Sequence, residues 1–170
     1  MSNNSKLKLL QAIGDRVQAY QDATDEMDEA VARALDVNRT DLRCLSVLSR
    51  LGTVTAGELA AMAGVTRGAM TTALDRLERA GHAKRLWGAA DRRSVRVELT
   101  DDARKRIWAM YGPLAEEGAK RLQKYTRPEL AAVLRYLEEG RTLQRAQAER
   151  IRQSLGPAAR PPSAPSSRRP

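Results

Sequence analysis

Phenylalanine is missing from this 170-residue chain, and aromatic residues make up only 4% of it. A core must therefore be built from Leu, Val, Ala, Met and Ile, and RNA-reading sheets that stack bases on exposed aromatics are disfavoured. Cysteine occurs once, at Cys44, and histidine once, at His82. One thiol cannot close an internal disulfide, which suits a reducing cytoplasm, and two soft ligands cannot furnish a structural zinc site. No apolar run approaches the ~18 residues that mark a membrane span. The opening Met1-Ser2-Asn3-Asn4-Ser5-Lys6 lacks the apolar stretch of a secretory signal. A cytoplasmic protein without a membrane partner is expected. Also lacking are a phosphate-cradling glycine loop, a nucleophile paired with a base, and a carboxylate cluster fit for a metal. These absences argue against an enzyme and against any cofactor or metal.

What is present is positive charge, unevenly placed. The net charge is +9 and the isoelectric point is near 10.3, which favours a polyanionic partner or an acidic surface. Residues 66–96 hold eight Lys or Arg against three acids, whereas residues 1–37 hold four against seven. The cationic segment is thus set apart from an acidic N-terminal one.

Residues 5–35 read as one helix, with Leu10, Ile13, Val17, Tyr20, Met27 and Val31 recurring at three- and four-residue steps. About thirty residues span roughly 45 Å, longer than a small domain covers with its own core. A second subunit would cover the remainder. Thr40 is placed to cap a second helix carrying Leu42, Leu45 and Leu48, which Gly52 ends. Thr55-x-x-Glu58 is a capping box opening a third helix. Gly64 supplies a turn, and Thr66 caps a fourth helix that runs to Ala80 and stops at Gly81. Met70, Ala73, Leu74 and Leu77 form its apolar stripe. Gly68, Thr72, Asp75 and Arg79 lie opposite, flanked by Arg67, Thr71 and Arg76.

Two strands follow, at 84–87 and 94–99, the second alternating Val95, Val97 and Leu99 with Arg96 and Glu98. Gly88 to Arg93 forms the tip between them. Thr100-Asp101-Asp102 opens a fifth helix with the stripe Ile107, Tyr111, Leu114, Gly118, Leu122 and Tyr125. Thr126-x-x-Glu129, with Pro128 in the first turn, opens a sixth through Leu130, Leu134, Leu137, Ile151 and Leu155. Residues 156–170, rich in Pro, Ser and Arg, are expected to be disordered.

Two close helices with a glycine turn, followed by an arginine-tipped hairpin, make a winged helix-turn-helix. The fold class is mainly α with a small β-hairpin wing (α+β). Four segments are expected: an N-terminal helix (1–37), a winged helix-turn-helix DNA-binding lobe (38–100), C-terminal helices (101–155) and the tail (156–170). The order of elements resembles the MarR family of bacterial transcriptional regulators over about residues 10–155. The string Asp91-Arg92-Arg93-Ser94-Val95-Arg96-Val97-Glu98-Leu99-Thr100 is similar to that family's wing signature. Asp75-Arg76-Leu77-Glu78-Arg79-Ala80-Gly81 resembles the end of its recognition helix. Ala103 stands where the family often has glycine, and the first helix lacks the reactive cysteine of its peroxide sensors.

The resemblance implies a homodimer held by the N-terminal dimerisation helix (1–37) and the C-terminal dimerisation helices (101–155) on a near-palindromic operator, released in many members by a small aromatic or anionic effector. The fourth helix would enter the major groove and each wing the neighbouring minor groove. The residues implicated in binding double-stranded DNA are Thr66, Arg67, Gly68, Thr71, Thr72 and Arg76 on the helix, and Asp91, Arg92 and Arg93 on the wing. Arginine suits guanine O6 and N7, threonine suits a thymine methyl, and the free N–H groups near Thr66 suit a phosphate. The resemblance also suggests that Asp91 braces Arg93. Tyr20, Met27, Trp108, Met110 and Tyr111 could line an effector pocket, although their helical spacing equally fits core or interface. Cys44 reads as core packing, His82 as a helix-end residue and Trp87 as sheet packing. Two other classes remain open: a winged-helix protein-interaction adaptor, and a nucleoid-associated DNA binder without sequence choice.

Overall fold

A computed structural model describes residues 3–87 and 95–154. The expectations placed on Asp91, Arg92, Arg93, Leu155 and the 156–170 tail lie outside the described residues. The chain divides into two compact units, Met1–Leu114 and Ala115–Pro170.

The first unit opens with α1 (Asn3–Leu35) and α2 (Arg39–Leu51). The short strand β1 (Val54–Thr55), α3 (Ala56–Ala63) and α4 (Arg67–Arg79) follow. Strands β2 (Ala83–Trp87) and β3 (Val95–Leu99) lead into α5 (Asp101–Leu122). The sheet is antiparallel in the order β1-β3-β2, with Val54 opposite Val97 and Arg85 opposite Val97 on the other side. Strand β1 escapes sequence reading because two residues cannot show alternation.

Helix starts follow local chemistry. The Thr55 hydroxyl accepts the Glu58 N–H at 3.2 Å, and Glu58 accepts the Thr55 N–H at 2.8 Å, completing the capping box. Thr66 accepts the Ala69 N–H at 3.2 Å and so caps α4. Helix α2 differs from expectation: Asn38, not Thr40, is its cap, accepting the Asp41 N–H at 2.9 Å. Asn38 has the extended backbone a cap requires, whereas Thr40 already lies inside the first turn. Gly64, at φ +69°, provides the left-handed turn that separates α3 from α4.

The core joins Val31 and Leu35 of α1, Leu42, Cys44, Leu45 and Leu48 of α2, Leu59 and Ala63 of α3, and the expected stripe of α4. Val97, Leu99 and Ile107 close it from the sheet and from α5. The apolar stripe of α1 is buried only at its C-terminal end. Leu10, Ile13 and Tyr20 are exposed.

The second unit holds the last residues of α5 and α6 (Arg127–Ser154). Glu129 accepts both the backbone N–H and the hydroxyl of Thr126 at 2.7 Å, the expected start of α6. Within α6 no residue is buried, and Leu134, Leu137, Leu143 and Ile151 are exposed.

Candidate nucleic-acid interface

Helix α4 turns its apolar stripe inward because Met70, Ala73, Leu74 and Leu77 recur at helical spacing on one side. The opposite side is what a ligand would meet. Thr66, Arg67, Gly68, Thr71 and Thr72 are all exposed there. The Thr71 and Thr72 hydroxyls donate back to the carbonyls of Arg67 and Gly68, at 3.1 and 3.3 Å. Their methyl groups and hydroxyl lone pairs are the chemistry left to offer. The cap at Thr66 satisfies Ala69 but leaves the N–H groups of Arg67 and Gly68 without helical partners, at the positive end of the helix dipole.

Arg76 is placed differently from the other expected contacts. Its Nε donates to Asp41 Oδ2 at 3.0 Å and its Nη2 to Asp41 Oδ1 at 2.7 Å. Asp41 is 2% exposed, whereas the Arg76 side chain is 40% exposed. The Asp41 carboxylate holds the guanidinium above its ordinary pKa, chiefly by hydrogen bonding. This α2–α4 link joins residues 35 apart in sequence and carries no local signal.

A second link ties α4 to β2. Arg85 donates through Nη2 to Asp75 at 2.7 Å and pairs through Nη1 with Glu78, while its backbone N–H donates to Glu78 at 2.8 Å. Lys84 pairs with Glu98 across the hairpin at 3.0 Å. Three of the clustered cations are therefore neutralised within the fold. Arg67 and Arg79 have no ion pair among the described residues, and both are exposed.

Beside this lobe a cleft of about 870 Å³ lies between α1, α2 and the α3–α4 turn. Asp28, Arg33, Arg39, Arg43, Val37 and Tyr111 are among its lining residues. Of the five residues expected to line an effector pocket, Tyr111 is the one that lines this cleft. Its hydroxyl donates to Asp28 at 2.6 Å, and burial, followed by that bond, pushes its pKa up. Met27 and Met110 pack against the core instead, and Tyr20 and Trp108 stand 74% and 63% exposed. Helical spacing cannot separate a cleft wall from a neighbouring turn of the same helix. Cys44 is fully buried in the core, as its apolar neighbours suggest, with its thiol pushed up to about 11 by burial and then by Asp41. His82 is buried as well, its Nε2 donating to the Leu35 carbonyl at 2.9 Å, which fastens the start of the hairpin to the end of α1.

The model of the MarR family matches residues 37–95, the segment from the cap of α2 to the start of β3. The HTH-type transcriptional regulator YcgE of Bacillus subtilis is 32% identical over 125 residues, covering 74% of this chain and 81% of that protein. The chain belongs to the MarR family. The protein is accordingly a DNA-binding transcriptional regulator and not an enzyme. Two solved structures share the MarR fold. NadR in complex with 4-hydroxyphenylacetate has a TM-score of 0.57 at 23% identity, over 75% of this chain and 90% of its own. A mutant of MarR from E. coli complexed with operator DNA has a TM-score of 0.52 at 23% identity, over 75% and 92%. No helix among the described residues is long and apolar enough to cross a membrane.

Proposed function

We propose that this MarR-family protein is a homodimeric repressor that reads a near-palindromic operator through α4 and is released by a small effector. The observation that carries the reading is the exposed, cation-bearing start of α4, anchored by its buried stripe and by ion pairs to α2 and β2. Arg67, Thr71 and Thr72 face base edges in the major groove, and the Thr66–Gly68 amides hold a phosphate. The family resemblance assigns Arg92 and Arg93 to the minor groove. The operator DNA bound to the E. coli relative supports the same partner here.

Dimerisation is supported by apolar surface left uncovered in each unit: Leu9, Leu10 and Ile13 on α1, and Leu134, Leu137 and Ile151 on α6. Two-fold symmetry then sets half-sites about 10 bp apart, centre to centre. The cleft beside α2 has a volume suited to a small organic ligand. Its mixture of arginines, carboxylates and Tyr111 suits an aromatic acid of the kind held by NadR. Release requires that the effector favour a dimer whose reading helices no longer match adjacent grooves.

Fluorescence anisotropy on the DNA flanking the protein's own gene, against random duplex, tests the reading. Sequence-selective binding by a species of dimer mass, weakened by an aromatic acid that also raises Tm, is the expected result. Equal affinity for random DNA would instead support a nucleoid-associated binder, and no affinity at low salt would support an adaptor.

A further inference from the structure

We propose that Arg76 is a positioning residue which, with Asp41, sets the pose of α4, and that Arg76 itself reads no base. The proposal rests on the DNA-reading role given above. Asp41 is a buried carboxylate whose two oxygens each accept one N–H of the same guanidinium. Such a fork fixes both distance and direction, which a single ion pair does not. The fork joins the capped first turn of α2 to the last turns of α4. Swinging Arg76 outward to a guanine would strip a buried carboxylate of its cation, a costly arrangement.

Position along the helix agrees. Base reading by a helix-turn-helix falls to the start of the second helix. Arg76 lies nine residues beyond Arg67, roughly 13 Å further along the axis. Its guanidinium is also turned onto Asp41 of α2 and only partly exposed, whereas Thr72 and Gly68, one and two turns earlier, are exposed. Sequence choice on α4 therefore belongs to Arg67, Thr71 and Thr72, and Arg76 governs how well they are presented.

The test selects duplexes from a random pool with the full-length wild-type protein. Anisotropy then measures the consensus and each of its single-base-pair variants. Arg76→Gln and Asp41→Asn are each expected to weaken every duplex on the order of tenfold without altering their ranking, and the double variant to fall no further than the weaker single. Arg67→Ala or Thr72→Ala is expected instead to flatten preference at one or two base pairs. Circular dichroism checks folding. Should Asp41→Asn not fold, Arg76→Lys keeps the charge but loses the fork, and the same uniform loss is expected. If Arg76→Gln erases preference at a particular base pair, the positioning role is wrong while DNA reading stands. If the wild type enriches no sequence at all, both fall.

Discussion

Replacing Arg85 by methionine isolates the link between α4 and β2. The substitution keeps the length of the apolar stem and deletes a charge shared by Asp75 and Glu78. Exposed ion pairs contribute about 0–1 kcal/mol, whereas removing one partner of a buried pair costs about 3–5 kcal/mol. Arg85 falls between these limits, its side chain being 18% exposed, against 50% for Asp75 and 31% for Glu78. Asp75 would rehydrate readily, and Glu78 would retain the backbone N–H of residue 85. Against that, two carboxylates three residues apart on one helix would face each other uncompensated. A loss of about 2 kcal/mol is expected at neutral pH, and a fall of roughly 4–8 °C in Tm. Urea unfolding at matched protein concentration measures it, since any dimer makes stability depend on concentration. A loss below about 0.5 kcal/mol would refute the electrostatic account.

Three further outcomes test other parts of the fold. Leu48 is fully buried at the centre of the core, so Leu48→Ala should cost about 2–5 kcal/mol in the same assay. The Cys44 thiol, raised from 9.0 to about 11, should resist an aromatic disulfide reagent at pH 8 and react only as fast as the chain opens. Because its folded pKa lies above the unfolded one, that contribution to stability is complete below about pH 9 and is lost as pH rises toward 11. Glu58, held below its usual pKa by the Thr55 N–H and hydroxyl, works in the opposite sense. Its contribution is complete above pH 4.5 and disappears as pH falls through the lowered value, so Glu58→Gln should flatten the acid limb of stability measured by circular dichroism.

How much of the fold and of the interface is legible in the sequence depends on how far apart the partners lie. Most features spanning one helical turn can be read: the Thr55–Glu58 box, the cap at Thr66, the Met70–Leu77 stripe, the Thr126–Glu129 start of α6, though not the choice of Asn38 over Thr40 as the cap of α2. The alternation of Val95, Val97 and Leu99 reveals β3 for the same reason. What escapes joins distant segments. A sequence shows that Arg76 is cationic, and only the meeting of α2 with α4 shows that its charge is already taken by Asp41. Arg85 and the buried His82 follow the same rule, with partners on elements that local pattern cannot bring together. The cleft residues escape for a related cause, since choosing by aromatic type finds Trp108 and Tyr20 but cannot say which way a helix face turns. Counting arginines therefore overstates the charge available to DNA. Among the described residues the pairings leave Arg67 and Arg79 as the cations of α4 without an ion pair, and the free charge on this helix is smaller than the sequence suggests.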